Sequence, residues 1–91
     1  MEKYLIVVEY LSSEIDILKR INDYLKIKGT CLQLTEHAFM LATEIPATVL
    51  RDYIKGFGDD IQRVFVSKMT PPAAWYSSLT DSSSIKALFH E

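Results

Sequence analysis

Cys31-Leu32-Gln33-Leu34-Thr35-Glu36-His37-Ala38-Phe39-Met40-Leu41-Ala42 is the stretch whose reading decides the fold. Its first half alternates, with Leu32 and Leu34 on one side and Cys31, Gln33 and Thr35 on the other, the period of a strand. The leucine side is the expected core side. Its second half, Ala38 to Ala42, is more uniformly apolar, as suits a central strand. A very short link near Thr35-Glu36 joins the halves, so Cys31–Thr35 and His37–Ala42 predict a hairpin. No glycine marks its turn.

A helix pattern flanks the hairpin on each side. Upstream, Ile17, Leu18, Ile21, Tyr24 and Leu25 fall within about a 120° arc at helical spacing, which predicts a core-facing stripe. Ser12 and Ser13 are candidate caps, Glu14 and Asp16 suit the first turn, and Gly29 ends the helix after Lys28. Downstream, Pro46 suits a helix start. Val49, Leu50, Tyr53, Ile54 and Phe57 form its apolar side, spread over about 140°. Gly56 and Gly58 close that helix, and Asp59-Asp60 reads as a turn.

The outermost elements are strands. Tyr4-Leu5-Ile6-Val7-Val8 is a continuous apolar, β-branched run that predicts a buried central strand reaching Tyr10. Ile61 to Lys68 alternates Val64 and Val66 with Arg63, Phe65 and Ser67. The order is therefore β-α-β-β-α-β. Right-handed crossovers turn that order into an α+β ferredoxin-like fold, a four-stranded antiparallel sheet with two helices on one face. The expected division is a domain over 1–69 followed by a tail over 70–91.

Pro71-Pro72 interrupts the pattern, since neither residue can donate to a ladder. The tail beyond them carries Trp75, Tyr76, Leu79, Ile85, Leu88 and Phe89. Ser82 or Ser83 is the expected cap of a short final helix, with Ile85, Leu88 and Phe89 on one side. So much apolar area predicts packing on the sheet or on a partner subunit. These six residues are the expected dimer interface.

Composition narrows the function classes. The 91 residues fit one domain, and 48% hydrophobic with 24% charged residues is ordinary for a globular chain. The net charge of −2 argues against a dedicated nucleic-acid binder, which carries a basic excess. Lys19, Arg20, Arg63 and Lys68 are the weak candidates for a basic patch, offset by neighbouring acids. One cysteine, Cys31, excludes an internal disulfide and reads as a packed residue. The apolar run at the amino terminus is too short for a signal peptide, and no stretch approaches a membrane span. A cytoplasmic protein is the expectation.

Four stretches together resemble a known family. They are Tyr4 to Leu11, Leu34 to Thr43, Leu50 to Asp60 with Val64-Phe65-Val66, and Ala73-Ala74-Trp75-Tyr76. The chain resembles the SinR-like branch of small ferredoxin-like proteins related to the CRISPR-associated spacer-acquisition endoribonuclease. The resemblance implies a dimer of ferredoxin-like subunits and, in some relatives, metal-dependent cleavage of nucleic acid or scaffolding on it. Nuclease members carry a Tyr-Asp pair at the end of the first strand. Tyr10 stands at the aspartate position here, with Glu9 one residue earlier and so on the opposite face.

The candidate sites follow from these readings. No catalytic residue is assigned, and no cofactor is expected. Glu9 is a weak metal candidate, because Mg²⁺ is held by one or two carboxylates plus waters. His37 has no second histidine or cysteine at ligand spacing, and His90 is terminal. The three glycines, Gly29, Gly56 and Gly58, form no phosphate loop. The leading expectation is a non-enzymatic homodimeric interaction or scaffolding module. The alternatives are a divalent-metal nuclease using Glu9 and a nucleic-acid binder without cleavage.

Overall fold

The computed structural model describes residues 1–11, 15–70, 74–76 and 78–90. The expected caps Ser12 and Ser13, with Glu14, and the Pro71-Pro72 break lie outside the described residues. The elements are β1 (Glu2–Tyr10), α1 (Ile15–Lys28), β2 (Thr30–Gln33), β3 (Ala38–Thr43), α2 (Ala47–Lys55), β4 (Ile61–Lys68) and α3 (Ser82–Phe89).

The sheet has four strands in the order β2-β3-β1-β4, with every neighbouring pair antiparallel. The two apolar runs, β1 and β3, hold the central positions, as their lack of a polar face requires. One face of the sheet presents Tyr4, Ile6 and Val8 from β1 and Phe39 and Leu41 from β3. Ile17, Ile21 and Leu25 of α1 and Leu50 and Ile54 of α2 bury against it. Each such aliphatic side chain contributes about 1.5–3 kcal/mol by leaving water. The other face presents Met40 and Ala42, covered by Ile85 and Leu88 of α3.

The hairpin turn shows why glycine is dispensable. Thr35 and Ala38 exchange backbone bonds of 3.2 and 3.4 Å around Glu36 and His37. The Thr35 hydroxyl accepts from the His37 N–H at 3.1 Å and so stabilises the turn locally.

Three sequence expectations change in detail. The leucine side of β2 does not join the main core. Leu32 and Leu34 pack on the α3 side, while Cys31 turns towards α1 and α2. β2 is an edge strand with packed material on both of its faces, so alternation alone could not say which side holds the larger core. The apolar side of α2 is also narrower than its spacing predicts. Leu50 and Ile54 are buried, but Tyr53 and Val49 are exposed. Finally, Asp81 caps α3 in place of Ser82 or Ser83. Its carboxylate accepts from the Ser84 N–H at 3.2 Å and the Ser84 hydroxyl at 2.8 Å.

Candidate functional site

Among the described residues, the second face of the sheet is only half covered. α3 lies over β2 and β3, where Thr30, Leu32, Ser84, Ala87 and Leu88 line one hollow. The β1–β4 half lies to the side of it. Strand alternation brings Leu5, Val7 and Glu9 of β1 opposite Ser67, Phe65 and Arg63 of β4 on this side. Phe65 stands at its middle and is 61% exposed. Val7, Glu9, Arg63, Val64 and Phe65 line a shallow depression of about 470 Å³.

Glu9 and Arg63 close one end of this surface. Their ion pair spans 3.2 Å and both side chains are largely in solvent. The register between β1 and β4 shifts at Glu9 and Tyr10, because Tyr10 pairs with Ile61 after Glu9 pairs with Arg63. The extra residue, Gln62, is on β4, so alternation along β1 continues undisturbed. Glu9 therefore lies on the open face, whereas Tyr10 packs against the main core. Among the described residues no group of three or more histidine, cysteine, aspartate or glutamate side chains stands together as a metal site.

The two edges of the sheet differ. β2 has only four residues, Thr30–Gln33, and the tail runs beside its end. The Leu79 N–H donates to the Leu34 carbonyl at 3.0 Å, and the Thr80 hydroxyl donates to the Gln33 carbonyl at 2.5 Å. β4 has eight residues, and among the described residues β1 is its only strand neighbour. The Met69 N–H reaches the Lys3 carbonyl at 2.7 Å, which sets the phase of that ladder. Arg63, Phe65 and Ser67 thus turn their backbone groups towards β1. Val64, Val66 and Lys68 turn theirs outward, and the alternation ends at the Gln62 bulge.

The basic candidates do not converge. Lys19 and Arg20 lie on α1, and the Arg20 guanidinium sits 5.6 Å from the centre of the Phe57 ring. Arg63 is held by Glu9 on the sheet's second face, and Lys68 pairs with Glu2 at 3.0 Å. The six tail candidates for a dimer interface divide in two. Ile85 and Leu88 are buried against the sheet of the same chain with Phe89 partly buried beside them. Tyr76 is 96% and Leu79 67% exposed, and the Trp75 indole N–H reaches the Ser82 hydroxyl at 3.2 Å.

His37 and Cys31 have local roles. His37 Nδ1 lies 3.2 Å from the Val8 carbonyl, and its ring packs 5.1 Å from that of Tyr10. Burial pushes the Cys31 thiol up to about 11, against the opposing pull of Lys26. A thiol held that far up is protonated at neutral pH and is a poor nucleophile.

Sequence reading missed one cluster. Tyr24 packs against Tyr53 and Phe57 at ring separations of 5.5 and 5.6 Å, and Lys28 lies over both tyrosines. The Tyr24 hydroxyl is buried without a hydrogen-bond partner among the described residues. That burial, followed by the neighbouring Tyr53, raises its pKa. The aromatics at 24, 53 and 57 were visible as apolar positions on two helices. Their meeting depends on how α1 and α2 lie together, which spacing within one helix does not encode.

The fold and the open surface define a small α+β domain whose short β2 edge is met at its end by the tail and whose longer β4 edge has no strand beside it among the described residues. No helix among the described residues is long and apolar enough to cross a membrane. Comparison with known protein families, with curated proteins and with solved structures finds no match for the chain.

Proposed function

We propose that the chain is a non-enzymatic interaction or scaffolding module acting as a homodimer, with a ferredoxin-like subunit of the nuclease-related type. The strand order β2-β3-β1-β4, with α1 and α2 packed on one face, supports the ferredoxin-like assignment. The observation that carries the dimer is the β1–β4 surface, uncovered among the described residues, with Phe65 61% exposed at its centre. A large aromatic in that position is a poor solvent-facing residue and a good anchor for a second subunit.

The pairing of Glu9 with Arg63 supports the non-catalytic reading. A carboxylate already held by a guanidinium has to give up that bond before it can take a metal. The test is the mass of the full chain in solution by gel filtration with light scattering. Twice the 10.4 kDa chain mass is expected. A strict monomer up to the highest soluble concentration overturns the reading.

A further inference from the structure

We infer that the contact surface is the outer edge of β4, paired antiparallel with the same edge of a second copy about a two-fold axis beside Phe65. This inference rests on the homodimer reading above and names the surface and register it uses. Three observations carry it.

The first is the asymmetry of the two edges. Exposed backbone groups on a long, apolar edge strand are a template for another chain, and folded proteins cover or blunt such edges. Here the short β2 edge is engaged by Leu79 and Thr80 of the tail. The longer β4 edge carries Val64-Phe65-Val66 at its centre and has no strand beside it among the described residues. The Lys68 carbonyl receives, among the described residues, a 3.4 Å bond from the neighbouring Ser67 hydroxyl.

The second is the phase of the ladder. An antiparallel pair about a two-fold axis forms hydrogen-bonded pairs between outward-facing residues. With the axis beside Phe65, Val64 pairs with Val66 of the second copy on each side of the axis, and Lys68 falls opposite the bulge at Gln62. Val64 and Val66 turn their N–H and C=O groups outward, so both members of each such pair have a bond to give and one to receive.

The third is self-complementarity of side chains in that register. Phe65 meets Phe65 across the axis at a close, non-hydrogen-bonded position, where aromatic pairs add most. Val64 and Val66 extend the main apolar layer of each subunit across the join. Arg63 falls opposite Ser67 and Lys68 opposite Gln62, so no like charges are brought together. The two sheets become one, and the Glu9–Arg63 pairs flank the aromatic centre. An edge of this length is a small interface, so the dimer is expected to dissociate on dilution.

Two variants of the full chain test the inference, each checked for native circular dichroism. In a Cys31→Ala background, Phe65→Cys is expected to form a disulfide-linked dimer under mild oxidation, because the pair at the axis is within bonding reach. Ser67→Cys in the same background is expected to stay monomeric on denaturing gels. Val64→Pro removes an outward N–H while leaving the ladder to β1 intact. It is expected to move the monomer–dimer midpoint at least about tenfold to higher concentration, since one bond is lost on each side of the axis. A dimer that persists in Val64→Pro, with no cross-link through position 65, overturns the β4 surface and leaves the homodimer reading standing. A parent chain that is monomeric throughout overturns both.

Discussion

Gly29 shows how far a single residue can be fixed by its surroundings. It follows α1 and is the position at which the chain turns into β2. Helix ends favour glycine because a left-handed backbone suits that position. That reason does not apply here, since Gly58, at φ 142°, is the glycine with positive φ. Gly29 is required for space. A β-carbon there would stand 2.0 Å from the Ala42 carbonyl oxygen and 3.2 Å from the Thr43 side chain. The obstacle is the backbone of the central strand β3, which is held between β2 and β1 and cannot yield. Gly29→Ala is therefore expected to destabilise by about 1–3 kcal/mol, as overpacking does. Chemical denaturation measures this. A variant as stable as the parent would mean that α1 approaches β3 less closely than described. Thr43 adds to the same junction, because its buried hydroxyl donates to the Lys28 carbonyl at 2.7 Å and accepts from the Ile45 N–H at 3.2 Å. Glycine was legible as punctuation, but its close approach to a strand 13 residues away was not.

At the scale of elements, α3 is a short helix whose existence depends on one cap and one buried side. Eight residues are too few for an independent helix in water. Asp81 satisfies first-turn donors through Ser84, and Ile85 and Leu88 bury on Met40 and Ala42. Leu88→Ala is expected to cost about 2–5 kcal/mol, the range for an emptied leucine site. It is also expected to increase binding of a hydrophobic dye, as Met40 becomes accessible. An unchanged melting temperature with unchanged dye binding would show that α3 is not a structural layer. The main elements were legible for physical reasons. The apolar runs of β1 and β3 have only one comfortable place in a sheet, its centre. The 3.6-residue stripe of α1 has only one way to bury Ile17, Ile21 and Leu25. What stayed illegible were choices between equals. Asp81, Ser82 and Ser83 are all competent caps, and the helix selects the carboxylate because it starts one residue earlier than the alternatives allow. The two sides of β2 are both apolar enough to pack. The open β4 edge was present in the sequence as an alternating strand. Its lack of an outer neighbour among the described residues is a property of strand order.

For the molecule as a whole, stability is expected to fall on both sides of neutrality, for opposite reasons. Asp81 and Asp52 have lowered pKa values, the first through hydrogen bonds from Ser84 and the second through its 2.9 Å bond with Arg51. A lowered carboxyl contributes stability that is present above its unfolded pKa and is lost as pH falls through the folded one. Both groups are solvent-exposed, so this acid limb is shallow. The alkaline limb is steeper and belongs to Cys31. Its thiol is raised by burial from 9.0 to about 11. The folded chain therefore holds that proton more tightly than the unfolded chain. The associated stability is complete below pH 9 and declines as pH rises from there through about 11. Allowing for partial exposure, about 1–2 kcal/mol is at stake. Tyr24, raised by burial and by Tyr53, pulls in the same direction. Urea titrations of the parent and Cys31→Ala at pH 7, 9 and about 11 separate the thiol from the rest. The stability difference between the two chains is expected to shrink across that interval, because only the parent has a thiol to ionise on unfolding. Parallel curves would mean that Cys31 is as accessible to water in the folded chain as in the unfolded one, and would place the β2 edge further from α1 than its half-buried packing beside Asn22 implies.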